Sequence, residues 1–186
     1  LRQNNTATVM GDGSVWLVGG FNGGALATFE RFDPLTGQAK IIGQLDEPRN
    51  GHSSTVLQDG RLFVAGGTSG PSTVLVDPET LAVTQGPAMS GARNHHAGIR
   101  LLDGRVLIAG GGEDSVELFD PTSDSFGSPI AVAFGGASVM GARLTSGQVL
   151  LVTSSAGFVF DPANDSVTPT ANTPNPDLEP AEATVM

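Results

Sequence analysis

Three observations predict an all-β chain folded as a β-propeller of about four four-stranded blades. One pattern recurs along the 186 residues: Asn5-Thr-Ala-Thr-Val-Met-Gly-Asp-Gly13 aligns without gaps on the segments that begin at His52, His96 and Val139. A fifth start is legible at Ala181, so successive steps are 47, 44, 43 and 42 residues. The apolar runs inside each repeat are short, β-branched or aromatic, and bounded by Gly, Pro, Asn and Asp, as strands are. No segment holds an apolar period near 3.6 residues between helix caps.

The elements follow in order within each repeat. Strand A comes after the Asp-Gly or Ser-Gly step, as Val15–Val18, Leu62–Ala65, Val106–Ala109 and Val149–Val152. It is apolar on both faces and is therefore expected to be the innermost strand. A glycine pair closes it in the first three repeats (Gly19-Gly20, Gly66-Gly67, Gly110-Gly111), with Thr153-Ser154 in the fourth. Paired glycines suit a close backbone approach with positive φ. Strand B ends at Phe32-Asp33-Pro34, Val76-Asp77-Pro78, Phe119-Asp120-Pro121 and Phe160-Asp161-Pro162. There proline fixes φ and the carboxylate can accept turn N–H groups. Strand C is short, as in Leu81–Thr84, and strand D is the segment that runs up to Asp-Gly. Asp-Gly is a hairpin signal, expected here to link one blade to the next. The chain then divides into a lead-in strand at 1–11 and blades at 12–58, 59–102, 103–145 and 146–186.

These features together resemble the Kelch repeat family. The resemblance rests on the doubled glycine after an apolar strand, the Asp-Pro turn, and Arg-x-x-His at the start of strand D. The last stands as Arg49-Asn50-Gly51-His52 and Arg93-Asn94-His95-His96. The match departs from the family where Tyr usually precedes the aspartate, a place held here by Phe or Val. It departs again where Trp usually follows, a place held by Ala39, Val83, Phe126 and Val167. The fourth repeat has Gly136 and Val139 in place of the Arg-His pair. The resemblance implies a Kelch-type β-propeller, similar to the central domain of galactose-oxidase-type enzymes. The copper site of those enzymes needs Tyr and Cys, and this chain contains neither. Five D segments against four A–B–C sets, with a chain that begins at Leu1, lead to the expectation of a segment of a larger ring of about six to eight blades. Its partners would then be the remaining blades of a parent propeller or a second chain.

Composition narrows the function classes. Nine basic against nineteen acidic residues give a net charge of −10, and Lys40 is the only lysine. That sign repels phosphate backbones and anionic lipid, so neither nucleic acid nor a membrane surface is an expected partner. No apolar run approaches the ~18–20 residues of a membrane-spanning helix. The lack of cysteine removes disulfides, thiolate metal sites and cysteine nucleophiles.

No catalytic set, metal site or cofactor is expected. His52, His95 and His96 lack the spacing that puts ligands on one face. No G-x-S-x-G elbow occurs, and the acidic pairs Asp46-Glu47 and Glu113-Asp114 are placed in loops. The Pro-rich stretch Thr168–Pro180 reads as a long C–D loop. Binding is the expected job, because loops that vary in length on a rigid frame carry function. The step from the second position of the glycine pair to the Asp-Pro aspartate falls from 13 to 7 residues along the chain. The A–B and C–D loops lie on one face of such a blade, and in Kelch relatives that face takes peptide or carbohydrate ligands. The expected ligand-binding residues are Phe21, Asn22, Asn50, Asn94, His95, Glu113 and Asp114. Arg49 and Arg93 are assigned chiefly to structural hydrogen bonds. The function expected is a non-catalytic scaffold for protein or glycan binding, extracellular or periplasmic in view of the lysine depletion and Ser/Thr/Gly-rich loops. The alternatives are part of an extracytoplasmic sugar-acting enzyme, epimerase or oxidase-like, whose catalytic groups lie in other blades, and an architectural module of a surface assembly.

Overall fold

The computed structural model describes residues 2–171, and every described element is a β-strand or a turn. Among the described residues, seventeen strands form four antiparallel sheets. The first sheet orders β1 (Thr6–Val9), β2 (Val15–Val18), β3 (Leu26–Asp33) and β4 (Gln38–Arg49) side by side. The second repeats this with β5 (Ser53–Val56), β6 (Leu62–Ala65), β7 (Thr73–Val76) and β8 (Val83–Gln85). The third holds β9 (Ala97–Arg100), β10 (Val106–Ala109), β11 (Ser115–Asp120) and β12 (Ser125–Phe126), with β13 (Ile130–Ala131) also paired to β11. The fourth is β14 (Met140–Arg143), β15 (Val149–Val152), β16 (Gly157–Asp161) and β17 (Ser166–Pro169). The expected fifth start at Ala181, and the Pro-rich stretch beyond 171, lie outside the described residues.

The pairing corrects the sequence reading in one respect. The segment that runs up to Asp-Gly opens its sheet and pairs forward with the apolar strand, Thr6↔Val18 through Val9↔Val15 and Ser53↔Ala65 through Val56↔Leu62. The Asp-Gly turn therefore closes a hairpin within one sheet and does not bridge two. Blade borders drawn at 12, 59, 103 and 146 cut through these hairpins. All four turns use the same bonds: the N–H of Met10, Leu57, Leu101 and Leu144 reaches the carbonyl four residues on, at 2.8 Å in each case. Gly13, Gly60, Gly104 and Gly147 close them at φ between 81° and 98°, the left-handed position of a longer hairpin turn.

The apolar strand is correspondingly second in its sheet, not at its edge. Leu62–Ala65 and Val106–Ala109 are buried at every residue, because a neighbour strand lies on each side and packing covers both faces. Strand β4 is the other departure. It runs for twelve residues with two register shifts against β3, so Asp46 and Glu47 stand in a strand where the sequence suggested a loop. The Glu113-Asp114 pair does lie in the loop before β11.

Contacts divide the chain into two compact units, Leu1–Asn94 and His95–Met186. In the first, Trp16 stacks on Phe29 at 5.5 Å within a cluster that includes Val18, Leu62, Val74 and Val76. In the second, Phe134 meets Phe158 edge-on at 5.1 Å beside Leu107, Val149 and Phe160. Each such large apolar side chain contributes about 1.5–3 kcal/mol when fully buried. Among the described residues no helix is long and apolar enough to cross a membrane.

Candidate functional site

The loop end of the first unit is built around an arginine that the backbone claims. Arg49 is fully buried at the end of β4; Nη1 donates to the carbonyls of Gly66 (2.9 Å) and Ser72 (3.1 Å). Nη2 faces Glu47 (3.3 Å) and Asp46 (3.5 Å). The carboxylates are anchored in turn, Glu47 by the Ser72 hydroxyl and Asp46 by the Gln85 amide. Burial draws the guanidinium pKa down, and the two carboxylates oppose that. Arg2 repeats the arrangement 47 residues earlier, donating to the Gly19 carbonyl at 3.1 Å and pairing with Glu30. The sequence reading passed over Arg2, although its 47-residue offset from Arg49 was a usable signal. In both cases the arginine binds the carbonyl of the first glycine of the pair. Arg93 is fully buried as well.

His52 fills the space beneath the glycines. A Cβ on Gly19 would come within 2.7 Å of His52 Cε1, and one on Gly67 within 2.7 Å of His52 Cβ. Both glycines have positive φ, so these positions exclude side chains twice over. The imidazole Nε2 meets the Thr6 hydroxyl at 3.1 Å, and that hydroxyl meets Ser54 at 2.7 Å. His52 Nδ1 has no hydrogen-bond partner among the described residues. Burial first, and the charge of Arg49 second, push the His52 pKa down to about 4, so the ring is neutral at pH 7. This histidine is framework.

On that frame sit the expected binding residues of the first unit. Phe21 is fixed by reciprocal backbone bonds with Gln3 (2.8 and 3.0 Å) while the residue stays 40% exposed. Asn22 is exposed on a turn in which its N–H reaches the Gly24 carbonyl at 3.0 Å. Asn50 and Asn94 are brought together: Asn94 Nδ2 donates to the Asn50 carbonyl at 2.8 Å, and the Asn50 N–H reaches the Gly67 carbonyl at 2.9 Å. The Asn50 Oδ1 is buried without a hydrogen-bond partner among the described residues.

In the second unit, His95 is exposed at φ +55°. Asp114 is spent on the loop itself; its Oδ1 accepts the Gly136 N–H at 2.9 Å and its carbonyl the Val132 N–H at 3.0 Å. Glu113 is half-buried beside it. Where the fourth repeat has no glycine pair, Thr153 Oγ1 accepts the N–H groups of Ala156 (2.9 Å) and Ser155 (3.2 Å) and closes the loop by side chain.

The aspartates of both turn types cap backbone. Asp77 Oδ1 accepts the N–H groups of Glu79 (2.9 Å) and Thr80 (2.8 Å), Asp33 that of Leu35 (2.8 Å), and Asp161 that of Ala163 (3.0 Å). These bonds lower the Asp77 pKa, the Thr80 N–H foremost, and that of Asp33 through the Leu35 N–H. Among the described residues no three His, Asp or Glu side chains converge on a metal-sized space.

Comparison with known families agrees with the repeat. Residues 4–38 match the Kelch motif. That match spans the first repeat, from β1 through β3. The four antiparallel sheets are consistent with blades of a β-propeller, and in the first three a glycine pair follows the second strand. No curated protein matches the chain.

Proposed function

We propose that this Kelch β-propeller is a non-catalytic scaffold that captures a protein ligand through its glycine-pair loops and the lead-in segments beside them. Phe21 carries the proposal. A backbone pinned on both sides and an aromatic residue left 40% exposed make a rigid apolar anchor, the kind of residue on which interfaces concentrate their energy. Asn22 and Asn94, exposed at the same loop end of the first unit, supply amide donors and acceptors around it. His95, Glu113 and Asp114 would serve the second unit in the same way. Carbohydrate binding at this loop end is the second form of ligand in the proposal. An extracellular or periplasmic setting belongs to the same reading, on lysine depletion.

The test is a peptide selected by display against the full chain. Phe21→Ala and Asn22→Ala together should weaken that peptide by about tenfold or more, the loss of one good anchor, with the thermal midpoint unchanged. Undiminished binding by this variant would remove the loop end from the reading.

A further inference from the structure

The second unit carries a cavity of about 410 Å³ at the opposite, turn end of its strands. Its residues come from three places in sequence: Arg105 just before β10, the stretch from Leu118 to Ile130, and Asp165 from the turn between β16 and β17. The first unit has a cavity of about 400 Å³ at its own turn end, with Trp16, Arg31, Ile42 and Glu79 in its wall, so the second is set apart by its lining and not by its place. Its volume falls within the ~300–1,000 Å³ typical of small-molecule sites.

The wall chemistry is specific. Arg105 is immobilised: Nη1 donates to Asp165 Oδ2 (2.8 Å), Nε to Asp103 (2.8 Å) and Nη2 to the Pro162 carbonyl (3.2 Å). Those carboxylates raise its pKa, Asp165 foremost, and neutralise its charge. Asp120 Oδ1 is held by the Thr122 N–H (2.8 Å) and hydroxyl (2.7 Å), which fixes the carboxylate plane at the cavity wall. Asp165 Oδ1 is buried and has no hydrogen-bond partner among the described residues. Ser123 and Ser125 bond to each other at 2.8 Å and offer hydroxyls that both donate and accept. Phe126, tilted at 54° against Phe119 with centroids 5.5 Å apart, forms an apolar wall with Leu118 and Ile130.

An anion does not suit this lining, because the one cation is already compensated and carboxylates flank it. A ligand that is only a cation would use the carboxylates and leave the serines and the aromatic wall idle. A neutral polyol with an apolar C–H face and hydroxyls at its edge uses all three. We infer that the cavity between Arg105, Asp120, Phe126 and Asp165 is a binding site for a neutral saccharide, with the ring face on Phe126 and sugar hydroxyls on Asp120, Ser123 and Ser125. The site is separate from the loop end proposed above for protein capture and does not depend on it.

The experiment titrates the full chain with methyl glycosides of glucose, galactose, mannose and N-acetylglucosamine, followed by saturation-transfer NMR. At least one should saturate with a dissociation constant of millimolar order. Phe126→Ala should weaken it by about tenfold, as expected when an aromatic wall is lost. Ser128→Trp, an exposed cavity residue whose enlargement fills the space without touching the core, should abolish binding with the thermal midpoint unchanged. Saturation by none of the four sugars overturns the inference, as does undiminished binding by Ser128→Trp. Tetramethylammonium is the competing probe: if it displaces the sugar at equal concentration, the site is a cation site and the inference fails.

Discussion

His52 shows how a single residue converts repeat geometry into pH dependence. In the unfolded chain its pKa is the ordinary ~6.5, and in the fold it is about 4. Between those values the unfolded chain binds the extra proton, so stability is complete above pH ~6.5 and falls as the pH drops towards 4. The ceiling on that loss is ~3 kcal/mol. Urea unfolding followed by Trp16 fluorescence should show the midpoint falling between pH 6.5 and 5, and His52→Gln should flatten that slope. Arg49 makes a second residue-scale case. Replacing it by alanine removes the guanidinium donor from the Gly66 and Ser72 carbonyls and the buried countercharge from two carboxylates. The expected cost is about 2–3 kcal/mol at pH 7. Arg49→Lys should recover less than half, because an ammonium cannot reach two carbonyls and a carboxylate from one plane.

Among the elements, the loops show two solutions to one closure problem. In the first three repeats the glycine pair turns the chain with positive φ. In the fourth, Thr153 closes the loop by accepting two N–H groups while 4% exposed. Thr153→Val keeps the shape and removes the acceptor, so it should cost about 1–2 kcal/mol by denaturant unfolding, and Thr153→Ser should cost little. Restoring glycine at 153 would not substitute, since nothing then accepts the Ala156 N–H. The strands themselves were legible because each signal was local: β-branched runs, Asp-Gly, Asp-Pro and glycine pairs. Their assignment to sheets was not. A tandem repeat has no marked origin, and a segment such as Thr6–Val9 reads equally as the last strand of one unit or the first of the next. Only the hydrogen bonds of Thr6–Val9 to Val15–Val18 decide it.

For the whole molecule, charge balance is the feature that single contacts do not reveal. Nine basic side chains can neutralise at most nine of nineteen acidic charges, so the fold carries net self-repulsion that salt screens. The thermal midpoint should therefore rise as sodium chloride increases to about 0.15 M, despite the loss of exposed pairs such as Arg31–Asp12. A fall would mean that the exposed ion pairs outweigh the repulsion. The loop-end residues were legible because Asn50 and Asn94 recur at one offset from the glycine pairs, and Phe21 directly follows the first pair. The turn-end cavity was not, since Arg105, Phe126 and Asp165 are 60 residues apart at the extremes and share no motif. Arg2 escaped notice for a related reason: Asn5 stands where the histidine of the pattern would be, so only the 47-residue offset from Arg49 marked it before the bond to Gly19 was seen.

Strand β4 has a consequence for colloidal behaviour. Twelve residues long and hydrogen-bonded in its sheet only to β3, it leaves an open row of backbone donors and acceptors, a template on which a second chain can pair. The segment Ala39-Lys40-Ile41-Ile42 lies on that edge, with Ile41 57% exposed. Its single interruption is the only lysine in the sequence, in the place where a charge guards an open edge against self-templated stacking. Lys40→Val would join four apolar residues in one run. The folded state should melt at the same temperature, while light scattering on incubation at 37 °C should rise much sooner than for the parent chain.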